Sequence, residues 1–393
     1  MLLSLALIFL CAFVLSGITQ KLKLPGLLGM LITGVVLGPY VLDLIAPEIL
    51  NISADLRQAA LIIILVRAGL SLDISALKKV GRSAILMCFI PATVEIAATV
   101  MLAPLFFDIT YLEAALMGIM LAAASPAVIV PRMIKLMENE YGTDKSIPQL
   151  IMAGASVNGI YIIVLFTSFM GMAGGDDFNL MSLGVLPIGI VIGLLIGVFF
   201  GLALSWLFQK IRMRNTVKSL VTLSAAFLLV GLETPLRDYV PMSGFLAVIA
   251  LGGTILRKQA ETAKQISDKF SKIWIPAEIM LFVLIGAAVN MTYAIRDAGA
   301  AIALIFVVLG IRFLGVVICL VKTNLNRKER LFCCIAYMPK ATVQAAVGAL
   351  PLAAGIAAGN IILTVAVWAI LITAPLGALG IDVLYKKTLL TKR

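Results

Sequence analysis

The stretch Ala336-Tyr-Met-Pro-Lys-Ala-Thr-Val-Gln-Ala-Ala-Val-Gly348 sets a single lysine, Lys340, beside a proline inside an apolar run. A charge at the bilayer centre costs about 2.5–3.5 kcal/mol on insertion scales, so a membrane segment that keeps one is read first as a site. Pro339 has no backbone N–H, so a helix through this run is expected to break where Lys340 sits. A broken helix carrying a charge at mid-membrane is an arrangement from which ion sites are built.

The rest of the chain supports a membrane setting. Hydrophobic residues make up 62% and charged residues 13% of the 393, and the mean hydropathy is +1.12. Soluble chains carry about 25% charged residues. Apolar runs of roughly 20 residues, enough to cross a bilayer, recur from end to end. No polar stretch is long enough for a separate soluble domain, so residues 1–393 are expected to form one transmembrane domain. The first segment, Met1 to Leu15, lacks a basic start and a small-residue cleavage site, so it reads as a retained helix. Cys11, Cys88, Cys319, Cys333 and Cys334 all fall in apolar runs without metal spacing and read as small fillers. With no histidine, a histidine-ligated metal or histidine relay is excluded. No nucleotide loop, metal cluster or nucleophile with its base is present, so neither an enzyme nor a cofactor is expected.

Thirteen spans are expected, at about 2–18, 26–46, 56–73, 83–105, 110–134, 147–172, 182–208, 217–232, 240–256, 273–293, 298–321, 329–352 and 357–384. Alternate loops then hold 25 of the 31 basic residues, among them Lys78, Lys79, Arg82, Lys264, Lys269, Lys272, Lys392 and Arg393. The opposite loops hold only Arg57, Arg237 and Arg296. The positive-inside rule places the C-terminus in the cytoplasm and the N-terminus outside, in a cell (inner) membrane. The net charge of +11 therefore belongs to loops facing anionic lipid, and argues against a nucleic-acid partner. Three basic residues remain inside spans: Arg67, Arg312 and Lys340. Of the acids, Glu95 and Glu278 are internal, Glu113, Asp73 and Asp382 lie near span ends, and Glu233 is at a boundary.

The count suggests an inverted repeat: one half over about 1–172, a linker helix over about 182–208 and a second half over about 217–384. The odd linker span inverts the second half. The fifth span of the first half carries Ser125-Pro126, and the fifth of the second carries Pro339-Lys340. Two interrupted helices at matching positions point to a site at the repeat interface.

Five segments carry a family resemblance: Leu24-Pro-Gly-Leu-Leu-Gly-Met-Leu-Ile-Thr-Gly-Val-Val-Leu-Gly-Pro39, Arg67-Ala-Gly-Leu-Ser-Leu-Asp73, Ala124-Ser-Pro-Ala-Val-Ile-Val-Pro131, Trp274-Ile-Pro-Ala-Glu-Ile-Met-Leu-Phe-Val-Leu-Ile-Gly286 and Met338-Pro-Lys-Ala-Thr-Val-Gln344. In this order they make the chain resemble the monovalent cation:proton antiporter superfamily. The likeness is to bacterial sodium/proton antiporters related to the animal mitochondrial and plasma-membrane sodium–hydrogen exchangers. The resemblance implies a homodimer with a scaffold part and a six-helix core that moves as a rigid body, carrying monovalent cations and protons.

One departure stands out. In that family the sixth span carries two adjacent carboxylates, or Asn followed by Asp. The matching stretch here is Ala155-Ser-Val-Asn-Gly-Ile-Tyr161, so the pair is Asn158-Gly159. Asn158 offers an oxygen but takes up no proton, and Gly159 has no side chain. A Na⁺ site near Asn158 and Ser125 would lack its usual carboxylate.

The remaining candidates each have two or more readings. Glu95 either replaces the missing carboxylate or only neutralises Arg312. Glu278, just after Pro276, is a structural or interfacial acid, or an ion-entry or pH-sensing group. Lys340 has no sixth-span acid to pair with. Held away from water it can give up its proton and act as the carrier, or it can face an anion together with Arg312. Ser125 and Thr342 flank the breaks, where hydroxyls cap exposed backbone or coordinate a cation. Arg67 and Asp73 read as interface anchors, and Gly26, Gly29, Gly34 and Gly38 as close helix packing. Three functional readings follow: cation:proton antiport, transport of an anion or small organic acid through Lys340 and Arg312, and a non-transporting membrane sensor.

Overall fold

The structure is a computed structural model and describes residues 1–71, 81–173, 180–236 and 242–390. Asp73, Lys78, Lys79, Arg237, Lys392 and Arg393, placed above from the sequence, lie outside the described residues. Among the described residues the secondary structure is helical, without strands. Eight helical segments there are long and apolar enough to cross a bilayer, counting the interrupted Tyr111–Glu138 as one. The count of thirteen remains an expectation.

The first compact unit comprises residues 1–54, 73–173 and 282–393. Its principal helices are α1 (Leu2–Lys21), α2 (Gly26–Leu37), α3 (Arg82–Phe106), α4 (Tyr111–Leu121), α5 (Pro126–Glu138), α6 (Ile147–Ala173), α7 (Ala298–Cys319), α8 (Arg327–Ala336), α9 (Thr342–Val347) and α10 (Gly359–Thr388). The fifth expected span is thus two helices, α4 and α5, parted at Ala122–Ser125. The twelfth is parted between Ala336 and Thr342. Pro126 starts α5 at a position whose N–H has no helical partner in any case.

Two capping boxes fix the starts of these broken helices. Thr110 and Glu113 exchange side-chain and backbone bonds at the start of α4, and Asn326 and Glu329 do so at the start of α8. Glu113 also accepts from the Ala358 N–H at 2.9 Å, which ties α4 to the approach to α10. The glycines of the second span are packing sites, as expected. A Cβ at Gly29 would strike the backbone of Leu15 and Ser16, and one at Gly34 the backbone of Val283.

The second unit comprises residues 55–72 and 174–281. Gly193, Gly197 and Gly201 recur every fourth residue on the helix Leu180–Lys210, and a Cβ at any of them would strike Ser243, Ala247 or Thr254. Small residues at this spacing let two membrane helices approach closely.

Two sequence readings need correction. Arg57 is not a loop residue: it lies in the helix Ser53–Leu70 and is 4% exposed, because that helix begins upstream with Asp55 in its first turn. Lys264, Lys269 and Lys272 lie on the helix Ala260–Ala288 rather than in a loop. Charges every few residues are compatible with a helix that keeps one wet face. Arg67, read as an interface anchor, has Glu278 as an electrostatic neighbour within the second unit.

Candidate functional site

The site grows around three prolines, Pro91, Pro126 and Pro339, that lie in or beside its helices. Pro91 interrupts α3 and cannot donate to the Met87 carbonyl four residues back. The Tyr337 hydroxyl donates to that carbonyl instead, at 2.7 Å. The Ala122 carbonyl, just past the end of α4, accepts from Arg312 Nη1 at 2.7 Å. The Pro339 carbonyl accepts the Ser125 N–H at 2.8 Å, so the two helix breaks are joined by a backbone hydrogen bond. The Lys340 N–H donates to Thr373 Oγ1 on α10, and Gly377 on the same helix leaves room for the Pro339 ring.

The C-terminal end of α4 is the focus. Helix ends leave carbonyls unpaired and carry partial negative charge. Here those carbonyls are met by side chains from distant elements. Lys340 Nζ donates to Leu121 O. Gln344 Nε2 donates to Met120 O at 2.9 Å and Ala123 O at 3.0 Å. With Arg312 on Ala122 O, two cations and an amide close the helix end.

Glu95 binds both cations. Its Oε1 is 2.6 Å from Lys340 Nζ, and its Oε2 accepts from Arg312 Nη1. Glu95, Arg312 and Lys340 are all fully buried. The close approach of α3 and α7 makes this pairing possible. Gly315, three residues after Arg312, packs against Pro91, four residues before Glu95, and a Cβ on Gly315 would meet Pro91 Cα at 2.8 Å. The Arg312 guanidinium carbon also lies 5.1 Å from the centre of the Tyr337 ring.

Asn158 braces the break. Its Oδ1 accepts the Ala124 N–H at 2.8 Å and its Nδ2 donates to Cys88 O at 3.2 Å. Gly159 leaves room beside it: a Cβ there would meet only Val343 Cγ2, at 3.9 Å. Ser125 Oγ, Thr342 Oγ1 and Gln344 Oε1 are buried oxygens without a hydrogen-bond partner among the described residues, and Arg312 Nε and Nη2 are buried nitrogens likewise. The expected residues Glu95, Arg312, Lys340, Asn158, Gly159, Ser125, Thr342, Pro126 and Pro339 therefore all border one network. Glu278 belongs to the second unit. Sequence reasoning missed Gln344 and Tyr337 as members. Gln344 was legible as an amide one turn beyond Lys340 in an apolar run, whereas nothing local marked Tyr337.

Crossed, interrupted helices around buried opposite charges define a multi-pass membrane protein built on an antiporter fold. Residues 5–387 match the family model for the transmembrane region of sodium/hydrogen exchangers. Mouse sodium/hydrogen exchanger 9B2 is 32% identical over 380 residues, spanning 93% of this chain and 69% of that protein. Human sodium/hydrogen exchanger 9B1 is 30% identical over 403 residues, spanning 98% and 77%. The solved sodium proton antiporter MjNhaP1 of Methanocaldococcus jannaschii superposes with a TM-score of 0.82 at 22% identity, over 98% of this chain and 97% of that one. The chain belongs to the sodium/hydrogen exchanger family, within the monovalent cation:proton antiporter superfamily.

Proposed function

We propose that the protein exchanges a monovalent cation such as Na⁺ for a proton, with Lys340 holding the proton and Glu95 supplying the carboxylate for the cation. The observation that carries this reading is the seat of the Lys340 ammonium, on the Glu95 carboxylate and the Leu121 carbonyl. An ammonium and a dehydrated alkali cation carry the same charge and need the same oxygen partners. Both cannot occupy those oxygens together. Loss of the lysine proton frees the carboxylate and the carbonyl, and the α4 C-terminus then favours a cation in its place. The unpartnered oxygens of Ser125, Thr342 and Gln344 are further ligands at the same crossing. Asn158 serves as a brace for Ala124.

In this reading the inverted halves, about 1–172 and 217–384 around a linker over 182–208, give alternating access by rigid movement of the core. The protein works as a homodimer in the cell membrane, with its N-terminus outside and its C-terminus in the cytoplasm. The test is proton flux in proteoliposomes under imposed Na⁺, Li⁺ or K⁺ gradients. Cation-dependent flux supports the reading, and a silent wild type across pH 6–9 removes it.

A further inference from the structure

The charges of the site do not sum to zero. In the first unit, the buried charged residues among those described are Glu95, Arg312, Glu329 and Lys340. Glu329 has its own cation, Lys145, at 2.8 Å. One carboxylate, Glu95, therefore faces two buried cations and leaves one positive charge in excess. The exchange proposed above does not remove this excess. With Lys340 protonated the cluster carries one net positive charge. With Lys340 neutral and a cation on Glu95 it again carries one. An isolated charge in a medium of low dielectric is costly unless paired.

A second observation locates where a counter-ion fits. Arg312 spends only Nη1, on Glu95 and on Ala122 O. Its Nε and Nη2 are buried and have no hydrogen-bond partner among the described residues. These two N–H groups form one edge of a planar fork suited to anions. Lys340 is engaged with two oxygens, so of the two residues expected to face an anion only Arg312 keeps such an edge.

We propose that a small monovalent anion of chloride type binds on the Nε–Nη2 edge of Arg312 and remains there through the transport cycle. It neutralises the cluster in both loaded states. The charge count rests on the exchange reading, whereas the free guanidinium edge does not.

The test uses the full chain purified in detergent, with bromide as the probe. Diffraction from crystals grown in bromide should show an anomalous peak within hydrogen-bond distance of both nitrogens. The unfolding temperature should rise saturably with chloride and not with gluconate at equal ionic strength. Arg312→Lys, which keeps the charge and loses the fork, should abolish that rise. If this variant does not fold, the wild-type bromide experiment decides alone. Density without anomalous signal, meaning water only, overturns the proposal, as does an unfolding temperature indifferent to the anion. Tracer chloride entering proteoliposomes under a pH gradient would make the anion cargo and overturn its resident role. Cation-driven flux measured in parallel separates the two readings. Flux without a bromide peak sinks the anion site alone, and a bromide peak without flux sinks the exchange reading alone.

Discussion

The Lys340 ammonium lies 2.6 Å from Glu95 Oε1, joining residues 245 apart in sequence. If this ammonium is the exchangeable proton, charge at position 340 is not sufficient. Lys340→Arg keeps a cation for Glu95 and for the Leu121 carbonyl, but a guanidinium does not give up its proton in proteins. Lys340→Arg is expected to fold and to show cation-driven proton flux no higher than empty liposomes. Wild-type flux from this variant would move the proton to another group.

Removing the acid is more damaging than removing the base. Lys340→Met leaves Glu95 its bond to Arg312. Glu95→Gln leaves two buried cations facing an amide, and breaking a buried pair by removing one partner costs about 3–5 kcal/mol. Thermal unfolding in detergent should rank Glu95→Gln well below Lys340→Met. The double variant should recover part of the loss, since it removes one of the two stranded charges. Equal unfolding temperatures for the two single variants would contradict the shared-carboxylate arrangement.

Much of this centre was legible because membrane segments contain few charges and few prolines. Pro126 and Pro339 announced the two breaks, and Glu95, Arg312 and Lys340 stood out by their scarcity. The sequence also suggested that Glu95 neutralises Arg312 across the core. It left Lys340 without an acid, because the sixth span offers only Asn158-Gly159. The sharing of one carboxylate by two cations depends on α3, α7 and the second break meeting in space, which periodicity along the chain does not encode. Gln344 was passed over because an uncharged amide does not register as a cost in hydropathy, although it satisfies Met120 and Ala123. Arg57 was misplaced for the opposite reason. Its charge suggested a loop, and the helix Ser53–Leu70 buries it.

Gly159 and Gly154 lie on the same helix but differ in what surrounds them. A Cβ at Gly154 would meet Met87 Cβ at 2.9 Å and Tyr337 Oη at 3.1 Å, while one at Gly159 finds only Val343 at 3.9 Å. Gly154→Ala is an overpacking change expected to cost about 1–3 kcal/mol. Gly159→Ala should be neutral or gain about 0.4–1 kcal/mol by restricting the unfolded chain. The room at Gly159 also makes Asn158→Asp/Gly159→Asp a feasible companion in flux assays. Flux above wild type from this pair would mark the crossing as a cation site waiting for its carboxylate. Loss of folding in Gly159→Ala would refute the free space.

The Tyr337 hydroxyl and its ring make separable contributions. The hydroxyl supplies the donor that Pro91 withholds from the Met87 carbonyl. The ring lies under the Arg312 guanidinium. Tyr337→Phe strands one buried carbonyl, at about 1–3 kcal/mol, and keeps the ring under Arg312. It should lower the unfolding temperature while leaving the half-saturating cation concentration for flux unchanged. Tyr337→Leu removes both contributions and frees the guanidinium to tilt, so it should shift that concentration as well. A change in cation affinity already present in Tyr337→Phe would mean that the Met87–Tyr337 bond sets the geometry of Glu95 through α3, and that the stacked ring is not what holds Arg312 in place.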